Sequence, residues 1–224
     1  EWDADTVLDS TQALTYSIVS QTVPGAFTVV ADSGKITVAD GSLLDYETAP
    51  SHSVEIQVTD SGGLSYNKTF TISIADVNEA PTAANNTVTT NEDTTYNFTA
   101  GDFNFSDVDG DILASGKITS LESAGSLKLS GADVTLNQVI SKTDIDAGNL
   151  TFVPVADANG TGNDSFQFTV NDGTIDSATS YTMTIDVTPV NDAPDIANSG
   201  TPVDFTEDGA PTVIDPTITV ADAD

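Results

Sequence analysis

The chain has 224 residues, with 35 Asp and Glu against five Lys and no Arg, for a formal net charge of −30 at pH 7. That balance excludes nucleic acid as a partner, since phosphate is bound by cationic side chains, and it works against contact with an anionic membrane. No run of about 18 apolar residues offers a membrane span, and the absence of Cys excludes a disulfide framework and thiolate metal sites. The acidity then has three readings: disorder, a salt-adapted solvation shell, or cation binding. Disorder fails first, because hydrophobic residues make up 38% of the chain and recur with period two.

In chain order the alternating runs are Leu14, Tyr16 and Ile18; Val54, Ile56 and Val58; Phe70, Ile72 and Ile74; Phe166, Phe168 and Val170; and Tyr181, Met183, Ile185 and Val187. Each predicts a half-buried strand, and the enrichment in Thr and aromatics agrees. Turn signals separate them: Asp32-Ser-Gly34, Ser61-Gly-Gly63, Asp109-Gly-Asp111 and Asn171-Asp-Gly173. No stretch shows a 3.6-residue period. The expected fold is all-β, built of β-sandwiches, and the length suits about two domains.

Self-similarity sets the organisation. Asp76-Val-Asn-Glu-Ala-Pro81 returns as Pro189-Val-Asn-Asp-Ala-Pro194, with Asn78 and Asn191 113 residues apart. Val58-Thr-Asp60 returns as Val170-Asn-Asp172 after 112 residues, Glu92-Asp93 returns as Glu207-Asp208 after 115, and Asp109-Gly-Asp111 returns as Asp222-Ala-Asp224 after 113. Four motifs in nearly one register predict an array. The boundaries fall after Pro81 and Pro194: residues 1–81 form a domain without its opening strand, 82–194 a complete domain, and 195–224 the first strand of a third. Proline after an Asn-Asp or Asn-Glu pair suits a stiff, extended joint.

Clustered carboxylates repel, by roughly 4 kcal/mol for two charges 4 Å apart at an effective dielectric of about 20. Their convergence requires a compensating cation, and Ca2+ fits because it takes six to eight oxygen ligands in flexible geometry. In the 107–111 stretch Asp107, Asp109 and Asp111 alternate, which places them on one side of an extended segment. It is not an EF-hand loop, since Gly110 stands at the wrong offset and no Glu follows at the twelfth position. A solvated acidic surface remains the alternative reading of these clusters.

Residues 1–81 resemble a cadherin repeat, through Asp3-Ala-Asp5, Leu44-Asp-Tyr-Glu47, Val58-Thr-Asp60 and Asp76-Val-Asn-Glu-Ala-Pro81 in the cadherin order. Residues 82–194 resemble the bacterial cadherin-like repeats of large secreted, RTX-type surface adhesins. The motifs are Asn91-Glu-Asp-Thr94, Asp107-Val-Asp-Gly-Asp111, Ala147-Gly-Asn-Leu-Thr-Phe152, Asp164-Ser-Phe166, Val170-Asn-Asp-Gly173 and Val190-Asn-Asp-Ala-Pro194. The resemblance implies tandem Greek-key sandwiches of the immunoglobulin-like or cadherin-like kind in an elongated array, with calcium at the joints between successive domains. At the first joint it assigns Asp45 and Glu47 from domain one, Asp76, Asn78 and Glu79 from the linker, and Asp107, Asp109 or Asp111, and Asp172 from domain two. At the second joint the analogous set is Asn191, Asp192, Asp222 and Asp224. Glu92 takes the place of the opening-strand acid. Domain two lacks a Leu-Asp-x-Glu motif, for which Asp144 and Asp146 are the expected replacement, and Thr188-Pro189 stands where domain one has Ala75-Asp76.

The only histidine, His52, lies between Ser51 and Ser53, but no Gly-x-Ser-x-Gly elbow, zinc-protease helix or phosphate loop accompanies it. No catalytic residue is assigned and an enzyme is not expected. The resemblance implies an extracellular, bacterial cell-surface segment that acts in calcium-dependent adhesion as an extender or interaction module. Its implied partners are neighbouring domains of the same polypeptide, with no direct membrane insertion. The alternative is a module that itself binds cell-surface polysaccharide or another copy of itself.

Overall fold

Period-two alternation becomes strands wherever one face finds cover. The computed structural model describes residues 13–197, 200, 207–210, 213 and 217–221. These divide into two compact units, Glu1–Asn78 and Glu79–Asp224.

Unit 1 holds β1 (Thr15–Gln21), β2 (Phe27–Val29), β3 (Ile36–Val38), β4 (Ser51–Thr59) and β5 (Ser65–Ser73). β4 lies between β1 and β5 in an antiparallel sheet, and β2 and β3 form a separate hairpin. The predicted apolar row Val54 and Ile56 faces inward and joins Ala26 and Phe27 in a small buried core. Tyr16, Ile18, Val29, Ile36 and Ile72 pack around it only partly buried. Cover on the β5 side is thin: Phe70, directly opposite Val54, stays 44% exposed.

Unit 2 is a two-sheet sandwich. Its strands are β6 (Asn86–Asn91), β7 (Tyr96–Asn97), β8 (Ser115–Ser120), β9 (Ser126–Leu129), β10 (Ala132–Asp133), β11 (Val139–Ser141), β12 (Leu150–Val153), β13 (Gly160–Asn171) and β14 (Tyr181–Thr188). One sheet runs β11-β8-β13-β14-β6 and the other β10-β9-β12-β7. All pairings are antiparallel except the last of the first sheet, where β6 runs parallel to β14. The predicted rows Phe166, Phe168, Val170 and Met183, Ile185, Val187 all turn inward, together with Phe98, Phe103, Leu127, Leu150 and Phe152 from the facing elements. Edge-to-face ring pairs link the layers, Phe98 to Phe166 at 5.5 Å and Phe103 to Phe168 at 4.8 Å between centroids. Each such buried side chain contributes about 1.5–3 kcal/mol, and this core is much larger than that of unit 1.

One element departs from the sequence expectation. A five-residue helix, α1 (Lys142–Asp146), follows β11. It is too short for periodicity to reveal, but Ser141 caps it, accepting from the Asp144 amide at 3.0 Å.

The chain beyond β14 repeats the opening of unit 2. β15 (Asp195–Ala197) pairs antiparallel with β16 (Thr219–Ala221), as Thr82 bridges Ser106. Asp208 takes a left-handed backbone at φ 66°, as Asp93 does at φ 56°.

Buried polar groups hold the loops to the sandwich. The Asp164 carboxylate, 3% exposed, accepts from the amides of Ser123, Ala124 and Ser165 at 2.8–3.0 Å and fixes the β8–β9 connection. That connection ends at Gly125, whose φ is +40° and where a Cβ atom would lie 2.8 Å from the Val153 carbonyl oxygen. Gly125→Ala must therefore move strand β12, and thermal unfolding should show a loss of about 1–3 kcal/mol. A second check concerns Asp176, which the Lys117 ammonium at 2.9 Å, and then the Asn171 amide, hold below the ordinary carboxylate range. Its contribution is therefore present above the unfolded value of about 3.9 and is lost as pH falls through the lower folded value. Asp176→Asn should be somewhat less stable than the parent at pH 7 and flatten that part of the acid-unfolding curve, so that the two proteins converge at the acid end.

Candidate metal sites

The first site begins with a turn. Gly110 at φ +84° reverses the chain after Asp109, and Asp107 Oδ1 accepts from the amides of Asp109 at 2.9 Å and Asp111 at 3.3 Å. Such side-chain-to-backbone bonds gather an acidic loop instead of letting it extend. Oxygens of Asp107, Asp109 and Asp111 come within 4.8 Å of one another. Asp109 Oδ2 also receives the Glu79 amide at 2.8 Å, which ties the start of unit 2 to the loop. Asp107 Oδ2 and Asp109 Oδ1 are buried without a hydrogen-bond partner. Two buried carboxylate oxygens so close, with no donor, leave a strong local demand for positive charge, and an all-oxygen donor set fits a hard cation.

The second site stands at the opposite end of the same sandwich. β6 and β14 run parallel and end together, β13 starts beside the end of β14, and β13 ends beside the start of β8, just beyond Asp111. Asp93 after β6, Asp157 before β13 and Asp192 after β14 therefore meet at one pole, their oxygens within 4.8 Å. The Asp157 amide also donates to Asp93 Oδ1 at 3.4 Å. Both Asp93 and Asp157 have left-handed backbones, at φ 56° and 59°, a conformation that costs little for Asp. Glu92 supports the pole from beneath. Only 4% exposed, it accepts from the Val190 amide at 2.5 Å and from Asn159 Nδ2 at 3.1 Å, so it pins two of the three segments that carry the trio.

The remaining expected ligands are distributed as follows. In unit 1, Glu47 and Asp76 have oxygens within 4.8 Å of each other. Asp45 is exposed and accepts from the Thr48 amide at 2.9 Å, which lowers its pKa. Asn78 closes unit 1 and Glu79 opens unit 2. Asp172 is 9% exposed in the β13–β14 turn, where Oδ1 accepts from the amides of Thr174 at 2.6 Å and Ile175 at 2.8 Å. Asn191 donates to the Asp192 carbonyl at 2.6 Å.

Asp144 and Asp146 stand apart from both trios. Asp144 is engaged by Ser141 and Asn149, whose hydrogen bonds lower its pKa, and Asp146 pairs with Lys142 within α1. In the place expected for them the structure brings up Asp93 and Asp157, which sequence reasoning missed. The signals were present, since Asp93 repeats as Asp208 and Asp157 opens an Asp-Ala-Asn-Gly turn. Asp222 and Asp224, like Asp3 and Asp5, lie outside the described residues. His52 is 4% exposed in β4 against the Phe27 ring, 6.3 Å between centroids, with no hydrogen-bond partner on either nitrogen.

Comparison with known proteins bears on the fold. The cadherin domain family model matches residues 2–75, and the bacterial Ig domain model matches residues 78–188. A cadherin-like domain is thus followed by a bacterial Ig-like one. Among solved structures, human protocadherin-24 EC1-2 is 17% identical at TM-score 0.54, covering 80% of this chain and 83% of that one. Human CDH23 EC21-23 is 18% identical at TM-score 0.53, covering 94% and 69%. The protocadherin gammaB4 extracellular domain is 16% identical at TM-score 0.53, and there this chain spans only 34% of the longer one. At such identities the likeness is one of fold: strand-rich cadherin and immunoglobulin-like sandwiches.

Glu92 offers a check that separates support from ligation. In chelator, Glu92→Gln weakens the bond to the Val190 amide and sets a new donor against existing donors. Unit 2 should lose about 1–3 kcal/mol in chemical denaturation, whereas Asp93→Asn under the same conditions should cost much less.

Proposed function

We propose that this chain is a calcium-binding extender or interaction segment of a large bacterial surface adhesin, in which the cation holds successive repeats in a stiff array. Cadherin-like domains are extracellular, non-enzymatic adhesion modules that generally bind calcium and act in tandem. The described residues contain no helix long and apolar enough to cross a membrane. The observation that carries the reading is the trio Asp107, Asp109 and Asp111, with two buried carboxylate oxygens and no donor to meet them. The second trio gathers three carboxylates at the opposite pole of the same sandwich.

The residues proposed as ligands follow from the family's arrangement laid over these motifs. Asp45, Glu47, Asp76, Asn78 and Glu79 serve with Asp107, Asp109, Asp111 and Asp172 at the first joint. Asp93, Asp157, Asn191 and Asp192 serve at the second, with Glu92 behind them and Asp222 and Asp224 arriving from the next repeat. Bound calcium supplies the charge compensation that makes each cluster compact, and the linker then has one favoured conformation instead of many.

A homotypic binding module is the second reading, and the exposed Tyr66 and Phe70 on one face of β5 speak for it. A polysaccharide platform is weaker, because the described ring pairs lie in or against the cores.

Calorimetric titration of chelator-stripped protein should detect several calcium sites, and a hundredfold excess over Kd should stabilise by about 2.7 kcal/mol per site. Asp107→Asn should weaken one site by tenfold or more and leave the sites at the other pole unchanged. Small-angle scattering should show a longer and narrower particle with calcium than with chelator. Equal stabilisation by magnesium or plain salt, with scattering unchanged, would reduce the clusters to a solvation shell.

A further inference from the structure

The sequence has one Asn-Gly pair, Asn159-Gly160, and the fold sets it where the chain enters β13. After an asparagine, glycine is the residue that least obstructs attack by the next backbone nitrogen on the side-chain carbonyl carbon, because it has no Cβ. The space around Gly160 is open: a Cβ added there would meet nothing within 4 Å. Its φ of +134° is nevertheless one that other residues rarely adopt, so the backbone itself calls for glycine after Asn159.

The segment is also loosely held. Asp157, Gly160 and Gly162 all have positive φ, at 59°, 134° and 61°. Between Gly160 opposite Val187 and Asp164 opposite Ile185 the ladder slips, so three residues of β13 face one of β14. Val155, Ala156, Asp157, Asn159 and Gly160 are exposed. Opening the segment therefore uncovers little apolar surface, and such segments open locally well before a domain unfolds. Among the described residues the Asn159 side chain is held through its nitrogen, which donates to Glu92 Oε2 at 3.1 Å.

We infer that Asn159 is a self-modifying site, and that its conversion loosens the pole of unit 2 that carries Asp93, Asp157 and Asp192. The Gly160 nitrogen loses its proton to hydroxide and bonds to Asn159 Cγ. The Cγ–Nδ2 bond breaks, and the nitrogen takes a proton from water and leaves as ammonia, which closes a five-membered imide. A second water opens the imide at either carbonyl, leaving aspartate or its β-linked isomer. In the sum one water is consumed and one ammonia released. Either product sets a carboxylate where an N–H donor faced Glu92, which is only 4% exposed, at a pole that already gathers three carboxylates. Like charges at such a place repel strongly, so the Glu92 side chain keeps the Val190 amide and loses the loop ahead of β13. The inference needs only the bond between Asn159 and Glu92 and does not depend on the calcium reading.

Mass spectrometry of the folded chain, aged in mildly alkaline buffer with chelator, reads the reaction directly. Cleavage before aspartate releases residues 157–163. That peptide should gain one mass unit at least threefold faster than any other asparagine-containing peptide. Its aspartate form should be cut again before residue 159, while the β-linked isomer resists. Asn159→Gln keeps a donor for Glu92 but would need a six-membered imide, so its peptide should stay unchanged. Aged parent and fresh Asn159→Asp should both unfold at lower denaturant than fresh parent, whereas aged Asn159→Gln should match its fresh form. The chain aged in urea serves as the positive control for the chemistry. Conversion in urea with none in the folded chain would overturn the proposal, because the fold would then protect the amide. Conversion in the folded chain without loss of stability, or an equal loss in aged Asn159→Gln, would overturn the link to Glu92.

Discussion

Carboxylates repel, and this chain has seven of them for every cationic side chain. The fold meets that constraint first with the only abundant positive partner it has, the backbone N–H group. Asp164, Glu92, Asp172, Asp107, Asp60 and Asp102 each accept from main-chain amides in turns or strand connections. Acidic residues thereby do the work that lysine pairs and caps share in a less acidic protein. They also define the loops, because an Asp bonded to amides two to four residues ahead fixes a turn without a large core beneath it. Where amides run out, oxygens such as Asp107 Oδ2 and Asp109 Oδ1 are left buried with no donor, and they stand in the first of the two trios of unit 2.

Much of this was legible in advance. The inward rows of β4, β13 and β14 can be read directly from period two, since each strand has one covered face and the side chains alternate strictly. The repeat register was legible too, and β15 with β16 and the matched left-handed Asp93 and Asp208 are its three-dimensional counterpart. The 107–111 trio is a local cluster, formed by three residues within five positions. The Asp93, Asp157 and Asp192 trio is not: its members are 35 to 99 positions apart, and only the parallel pairing of β6 on β14 brings them to one pole. The resemblance led instead to Asp144 and Asp146, a nearer and more compact pair, as the replacement for the missing Leu-Asp-x-Glu motif. Their hydrogen bonds belong to α1, whose capping sequence Ser141-Lys-Thr-Asp144 was a readable sign that those carboxylates already had work.

The contrast between the units shows what an opening strand does in this fold. β6 adds six residue pairs to β14 and a lid over Met183 and Ile185, while the same rows in unit 1 remain partly open. Among the described residues the core of unit 2 holds seventeen buried side chains and that of unit 1 four.

The parallel pairing of β6 with β14 also has a mechanical meaning. The chain enters unit 2 at one end of that strand pair and leaves at the other, so a pull on the polypeptide runs along the strands. Hydrogen bonds between β6 and β14 are then loaded in shear and must fail together, whereas a hairpin pulled at its open end unzips one bond at a time. Forced unfolding is governed by the unfolding rate, not by equilibrium stability. A sandwich with this terminal geometry therefore resists tension far better than its modest free energy of folding suggests.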